Sequence, residues 1–116
     1  MDLLFITLNK SEKNFSESTM YEDYAISDRL FHWQSQSRTS DTSSTGQRYI
    51  NQRNNDTTVL LFVREYKSEN GITSPYYFLG KANYVSHSGS KPINIVWELE
   101  EKIPVKIHKM SNKNVG

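Results

Sequence analysis

Two short stretches concentrate side chains able to do chemistry: Phe31-His32-Trp33-Gln34-Ser35-Gln36 and, shortly after, Thr45-Gly46-Gln47-Arg48-Tyr49-Ile50. Packing alone favours plain aliphatics in strands, whereas groups that stack and hydrogen-bond at once suit planar polar ligands, nucleobases among them. The candidate binding residues are Tyr24, His32, Gln34, Gln36, Arg38, Gln47, Arg48 and Tyr49. Tyr21, Trp33, Arg29 and Arg53 interleave further aromatic and basic groups with them. Stacking on an aromatic ring contributes about 1–3 kcal/mol per base, and arginine contacts phosphates or guanine edges. The competing reading is structural: Trp33 and the tyrosines belong to the core, with their polar atoms paired.

Other chemistries have less support. His32, His87 and His108 are far apart, cysteine is absent, and no His-Glu-x-x-His spacing occurs, so neither a zinc site nor a cofactor is expected. Ser86-His87-Ser88 is no catalytic triad, because neighbouring strand residues point to opposite faces, and no Gly-x-Ser-x-Gly elbow is present. Thr45-Gly46-Gln47-Arg48 lacks the glycines and lysine of a phosphate loop, which argues against ATP hydrolysis. A helix start beside Arg48 is a weaker candidate for holding a single anion. Glu22-Asp23 and Glu100-Glu101 read as solvated turns or strand ends.

With 14 basic against 13 acidic residues, the chain has no overall attraction for a polyanion, so any nucleic-acid affinity must come from local patches. Leu, Ile, Val and Phe number 8, 8, 6 and 5. That is 27 of 116 residues, above the roughly 20% below which highly charged chains tend to be disordered. A folded domain is expected. The opening Met-Asp-Leu-Leu-Phe-Ile-Thr-Leu has no basic flank and too short an apolar run for a signal peptide. No stretch approaches the roughly 20 apolar residues of a membrane helix. The lack of cysteine fits a reducing compartment, so the expected setting is cytoplasmic, without membrane contact.

The elements that must position the candidates are mainly strands, since alanine is scarce and Tyr, Ile, Val, Thr and Phe are plentiful. Leu3 to Leu8 reads as a strand buried on both faces, Ser11 to Thr19 as a loop, and Thr19-Met20-Tyr21-Glu22 as one capped helical turn. Tyr24 to Gln36 reads as a strand interrupted near Ser27-Asp28. Alternation there puts Phe31, Trp33 and Ser35 on a core face and His32, Gln34 and Gln36 on a wet or bound face. Ser37 to Ser44 is a polar loop, and Ser44-Thr45-Gly46-Gln47 has capping-box spacing for a short helix over Gln47 to Gln52.

Val59 to Lys67, Tyr76 to Val85 and Ile93 to Glu100 form an expected antiparallel meander, with Asn70-Gly71, Pro75, Ser88-Gly89 and Pro92 in the turns and a bulge near Gly80. Val105 to Met110 reads as a last edge strand leading into a basic tail. The expected architecture is mainly β: a small, partly closed barrel or sandwich of five to six mostly antiparallel strands with one or two short helical turns. Residues 1–104 form one domain, and 105–116 an edge segment and tail.

Tyr21-Glu22-Asp23-Tyr24-Ala25-Ile26-Ser27 and Phe31-His32-Trp33-Gln34-Ser35-Gln36, then Gly46-Gln47-Arg48-Tyr49, Leu60-Leu61-Phe62-Val63-Arg64-Glu65, Phe78-Leu79-Gly80 and Tyr84-Val85-Ser86-His87, occur in an order that spans nearly the whole chain. The series resembles a domain of unknown function found near the C-terminus of many bacterial DEAD/DEAH-box helicases. The resemblance implies DNA processing or defence, beside a helicase motor often joined to a phospholipase-D-like nuclease module. This chain contains no motor, Walker or nuclease motif, as a stand-alone relative or a fragment would not, and the resemblance carries no catalytic residue onto it. The expected function is non-catalytic recognition of DNA or RNA, including a modified or flipped base. Docking onto a helicase or nuclease protein is the alternative. A small hydrolase or nuclease using His32 or His87 ranks third.

Overall fold

Alternating apolar residues build one continuous core. A computed structural model describes residues 1–9, 23–36 and 38–112. The strands are β1 (Asp2–Asn9), β2 (Tyr24–Ala25), β3 (Leu30–Gln34), β4 (Val59–Tyr66), β5 (Ser68–Glu69), β6 (Ile72–Thr73), β7 (Tyr77–Ser88) and β8 (Asn94–Leu99). Among the described residues two helices, α1 (Ser44–Ile50) and α2 (Val105–Asn112), accompany the strands. Six strands form one sheet in the order β1-β4-β7-β8-β3-β2, curled into a half-barrel, while β5 and β6 form a separate ribbon. The mainly β, partly closed architecture agrees with the sequence reading.

Period-two patterning decides which face is inside. Leu4, Ile6 and Leu8 of β1, Val59, Leu61 and Val63 of β4, and Ile95, Trp97 and Leu99 of β8 all point into the core, where Phe31, Ile93 and Ala82 join them. The meander β4-β7-β8 is antiparallel as expected, and β1 adds to its edge in parallel with β4. Asn70 and Gly71, with φ of 53° and 79°, make the β5-β6 turn; two positive-φ residues match the twist of a tight hairpin. Gly80, at φ 101°, adjoins a register shift in which Leu61 faces Gly80 and Phe62 faces Phe78, so the bulge expected there is present.

Three expectations are corrected. β1 is an edge strand buried on one face only, since Leu3 and Phe5 are exposed; a nearly continuous apolar run does not distinguish two buried faces from an apolar outer face. The helix cap is Ser43, one residue before the expected Ser44: its Oγ accepts from Gly46 N at 3.1 Å, and α1 starts earlier than Gln47. Val105–Asn112 is a helix and not an edge strand. Pro104 suits the start of a helix, and Ile103 and Ile107, four apart, are both buried while Val105 between them is exposed. The polar loop over Ser11 to Thr19 and the capped turn from Thr19 to Glu22 lie outside the described residues.

Candidate functional site

The curl of the sheet brings the outer edge of β1 opposite the end of β3, and a cleft of about 650 Å³ lies between them. The consecutive run Leu3 to Thr7 forms one wall. Since successive strand side chains point to opposite faces, a continuous run in a wall means that β1 presents its backbone edge. Asp23 and the segment Trp33 to Gln36 form the other wall, closed by Thr39, Thr45 and Tyr49. The volume is that of an ordinary small-ligand pocket.

Local hydrogen bonds fix the second wall. Ser35 N donates to Ile93 O at 2.9 Å and Ile93 N donates back to Ser35 Oγ at 2.9 Å, extending the β3-β8 pairing beyond the last strand residue. The Gln34 amide nitrogen donates to its cross-strand partner, Asn94 Oδ1, at 3.2 Å, while its backbone N–H donates to Asp23 Oδ1 at 3.0 Å. The Trp33 and Tyr49 rings meet edge to face, with centroids 5.2 Å apart and planes at 87°, and Tyr49 also reaches Trp97 at 6.3 Å. Burial, reinforced by the Asp2 charge, pushes the Tyr49 phenol above its ordinary value, so the ring stays neutral. Among the described residues the lining therefore combines three aromatic rings, Phe5, Trp33 and Tyr49, with aliphatic groups, amides, hydroxyls and one carboxylate, Asp23, and carries no cationic side chain.

Of the eight candidates, Gln34, Gln36 and Tyr49 line this cleft. Tyr24 and His32 are direct cross-strand partners that stack on each other, with centroids 4.8 Å apart and planes at 16°, away from the cleft lining. Arg38 is exposed outside it. Gln47 donates to Asp41 O and accepts from Asn51 Nδ2 at 2.9 Å, which makes it part of the α1 surface. Arg48 is held by Asp2 through Nε at 2.9 Å and NH2 at 2.8 Å. That hydrogen bonding raises its pKa and engages the guanidinium expected to meet an anion.

Trp33 combines the two roles weighed in the sequence: strand alternation favoured the core, and the residue packs against the core and lines the cleft as well. Thr7 and Thr39 carried no signal, while Asp23 read as a solvated turn and Thr45 as part of a helix start, because only the tertiary fold places these four together. Among the described residues no group of three or more His, Asp or Glu is placed to hold a metal, and no helix is long and apolar enough to cross a membrane. The Tyr84 hydroxyl and His87 Nδ1 are in hydrogen-bond contact, on an exposed part of β7 away from the cleft.

The family model described as Domain of unknown function (DUF3427) matches residues 2–110. The chain belongs to the DUF3427 family. The match takes in all six strands of the half-barrel, both cleft walls and most of α2, so the cleft is a feature of the DUF3427 unit and not of an appended segment. No curated protein matches the chain.

Proposed function

We propose that this DUF3427 chain is a non-catalytic recognition module that binds nucleic acid by seating an unpaired base, including a modified or flipped one, in the cleft between β1 and β3. The observation that carries the reading is the composition of the lining: Trp33 and Tyr49 offer aromatic surface, while Gln34, Gln36 and Asp23 offer donors and acceptors to a base edge. The described lining, without cations, suits the base and leaves phosphate outside. Extrusion of a base costs a few kcal/mol, least where it is mismatched, modified or already single-stranded, and that difference would supply selectivity. The expected setting is bacterial DNA processing or defence, beside a helicase motor.

The test is a titration with single-stranded and duplex DNA, unmodified and carrying modified bases, read by the tryptophan fluorescence of Trp33 and Trp97 and repeated across salt concentrations. Salt-sensitive binding that weakens in Gln34→Ala and Gln36→Ala is the expected result. Absence of salt-sensitive binding to every probe would sink the reading.

One observation favours a second reading. The cleft-facing edge of β1 carries no neighbouring strand among the described residues, and such an edge accepts an extended segment of a helicase or nuclease partner by strand addition. Recovery of a protein partner after nuclease treatment, with no DNA binding, would favour it over the first.

A further inference from the structure

We infer that the outer face of β1, β4 and β7 is a second nucleic-acid contact: a stacking platform for a single strand that meets the cleft at Phe5 and runs away from it. Phe5, Phe62 and Phe78 are direct cross-strand partners on three adjacent strands, Phe5 facing Phe62 and Phe62 facing Phe78. Their ring centroids are 4.9 Å and 5.1 Å apart in succession. The row lies opposite the core, so Phe5 and Phe78 remain 55% and 60% exposed. Isolated apolar residues on a surface are ordinary, but aromatic rings aligned across three strands are not explained by core packing.

Charge selects the occupant. On one side of the row Lys81 faces Leu60, and on the other Arg64 faces Thr7, with its guanidinium 4.3 Å from the Tyr76 ring centroid. Tyr76 in turn lies 5.1 Å edge-on from Phe5 and extends the aromatic surface. Arg64 is held by bonds to Thr7 Oγ1 at 3.0 Å and Ser74 O at 3.2 Å, which makes it a fixed positive point. Among the described residues no carboxylate occupies these cross-strand positions; Glu65 and Glu69 line a small pocket with Arg64 beyond the end of the row. Aromatic rings flanked by Lys81 and the held guanidinium of Arg64 on an open sheet match bases that stack and a backbone that carries phosphate.

This surface goes beyond the cleft reading, and the experiment separates the two. Phe5 borders the cleft, so the discriminating residues are Phe78 and Lys81, which do not. Fluorescence anisotropy with labelled mixed-sequence single-stranded DNA and RNA would compare the unchanged chain with Phe78→Ala, Phe78→Leu, Phe78→Tyr, Lys81→Ala and the cleft double variant Gln34→Ala/Gln36→Ala. Phe78→Ala and Phe78→Leu are expected to weaken binding about ten-fold, with affinity kept in Phe78→Tyr, since stacking needs a ring and not merely an apolar group. Lys81→Ala should lower the slope of log affinity against log salt by about 0.7, the value of one phosphate on a single strand.

Loss in the Phe78 and Lys81 variants alone supports the platform and refutes the cleft, and loss in both sets supports two contacts. Loss in the cleft variant alone overturns the platform. So does full affinity in Phe78→Leu, no binding by the unchanged chain, or a protein partner released by Phe78→Ala while oligonucleotide affinity is unaltered. DNA and RNA arms that differ in affinity identify the strand. Circular dichroism melts verify that each variant is folded.

Discussion

Arg48 on α1 grips Asp2 at the start of β1 through two nitrogens, at 2.9 Å and 2.8 Å, joining positions 46 residues apart. The pair anchors the helix that supplies Tyr49 to the strand that supplies the opposite wall of the cleft. It is half-open to solvent, with Arg48 44% and Asp2 13% exposed, so its worth is near the upper end for surface pairs, about 1 kcal/mol. A double-mutant cycle with Arg48→Ala and Asp2→Asn should return a coupling of about that size. Arg48→Lys should not restore it, since lysine lacks the planar fork. Urea melts of the four proteins measure the coupling.

Gln52 deserves a harsher outcome. Its buried amide donates to Thr57 O at 2.9 Å and to Asn83 Oδ1 at 3.2 Å, and its Oε1 accepts from Tyr84 N at 2.7 Å, beside the second register shift of the sheet. Gln52→Leu keeps much of the volume and strands these partners. A loss of about 1–3 kcal/mol is expected, seen as a lower thermal midpoint.

Gly46 is fixed by space. A Cβ there would stand 2.0 Å from Ser40 O and 2.9 Å from Ile93 Cδ1, closer than real atoms approach. Gly46→Ala should cost at least about 1–3 kcal/mol despite alanine's better helix propensity, because backbone has to move. Thermal melts of the soluble variant would show it, and no change would mean that the loop before α1 yields freely.

The C-terminal helix is part of the fold and not an accessory. Ile107 is fully buried among core residues, so Ile107→Ala should destabilise by about 2–5 kcal/mol, whereas Val105→Ala, on the exposed side of the same helix, should stay within about 0.5 kcal/mol. Equal effects in denaturant titrations would contradict this packing.

Alkaline stability tests Tyr49. Its phenol is raised by burial above the ordinary 10.0, so the folded state holds the proton more tightly than the unfolded chain. The resulting stability is whole below the unfolded value and falls as pH rises through the folded one. Tyr84, also raised by burial, adds in the same direction. Tyr49→Phe should flatten the decline above about pH 10, leaving the part due to Tyr84. Urea midpoints from pH 8 to 11 measure it, and an unchanged slope would contradict the burial of the ring.

Local pattern alone revealed the mainly β class, the β4-β7-β8 meander, the hairpin turn at Asn70-Gly71 and the bulge beside Gly80. Each depends on side-chain alternation or on φ freedom within a few neighbouring residues. The same locality explains the misjudged elements: Val105 to Met110 fits both strand and helix until Ile107 has a core to enter, and an apolar edge strand resembles a central one. Within the candidate site, residue type pointed to Gln34, Gln36 and Tyr49.

Tertiary structure decided which of the eight candidates share a surface. It paired Tyr24 with His32, bound Arg48 to Asp2, and brought Asp23 and the β1 edge to the cleft. It also aligned Phe5, Phe62 and Phe78, which the sequence holds far apart. The reason is physical. A strand's own alternation determines its two faces, but which strand lies beside it, and which edge closes against which, is settled by the packing of the whole core.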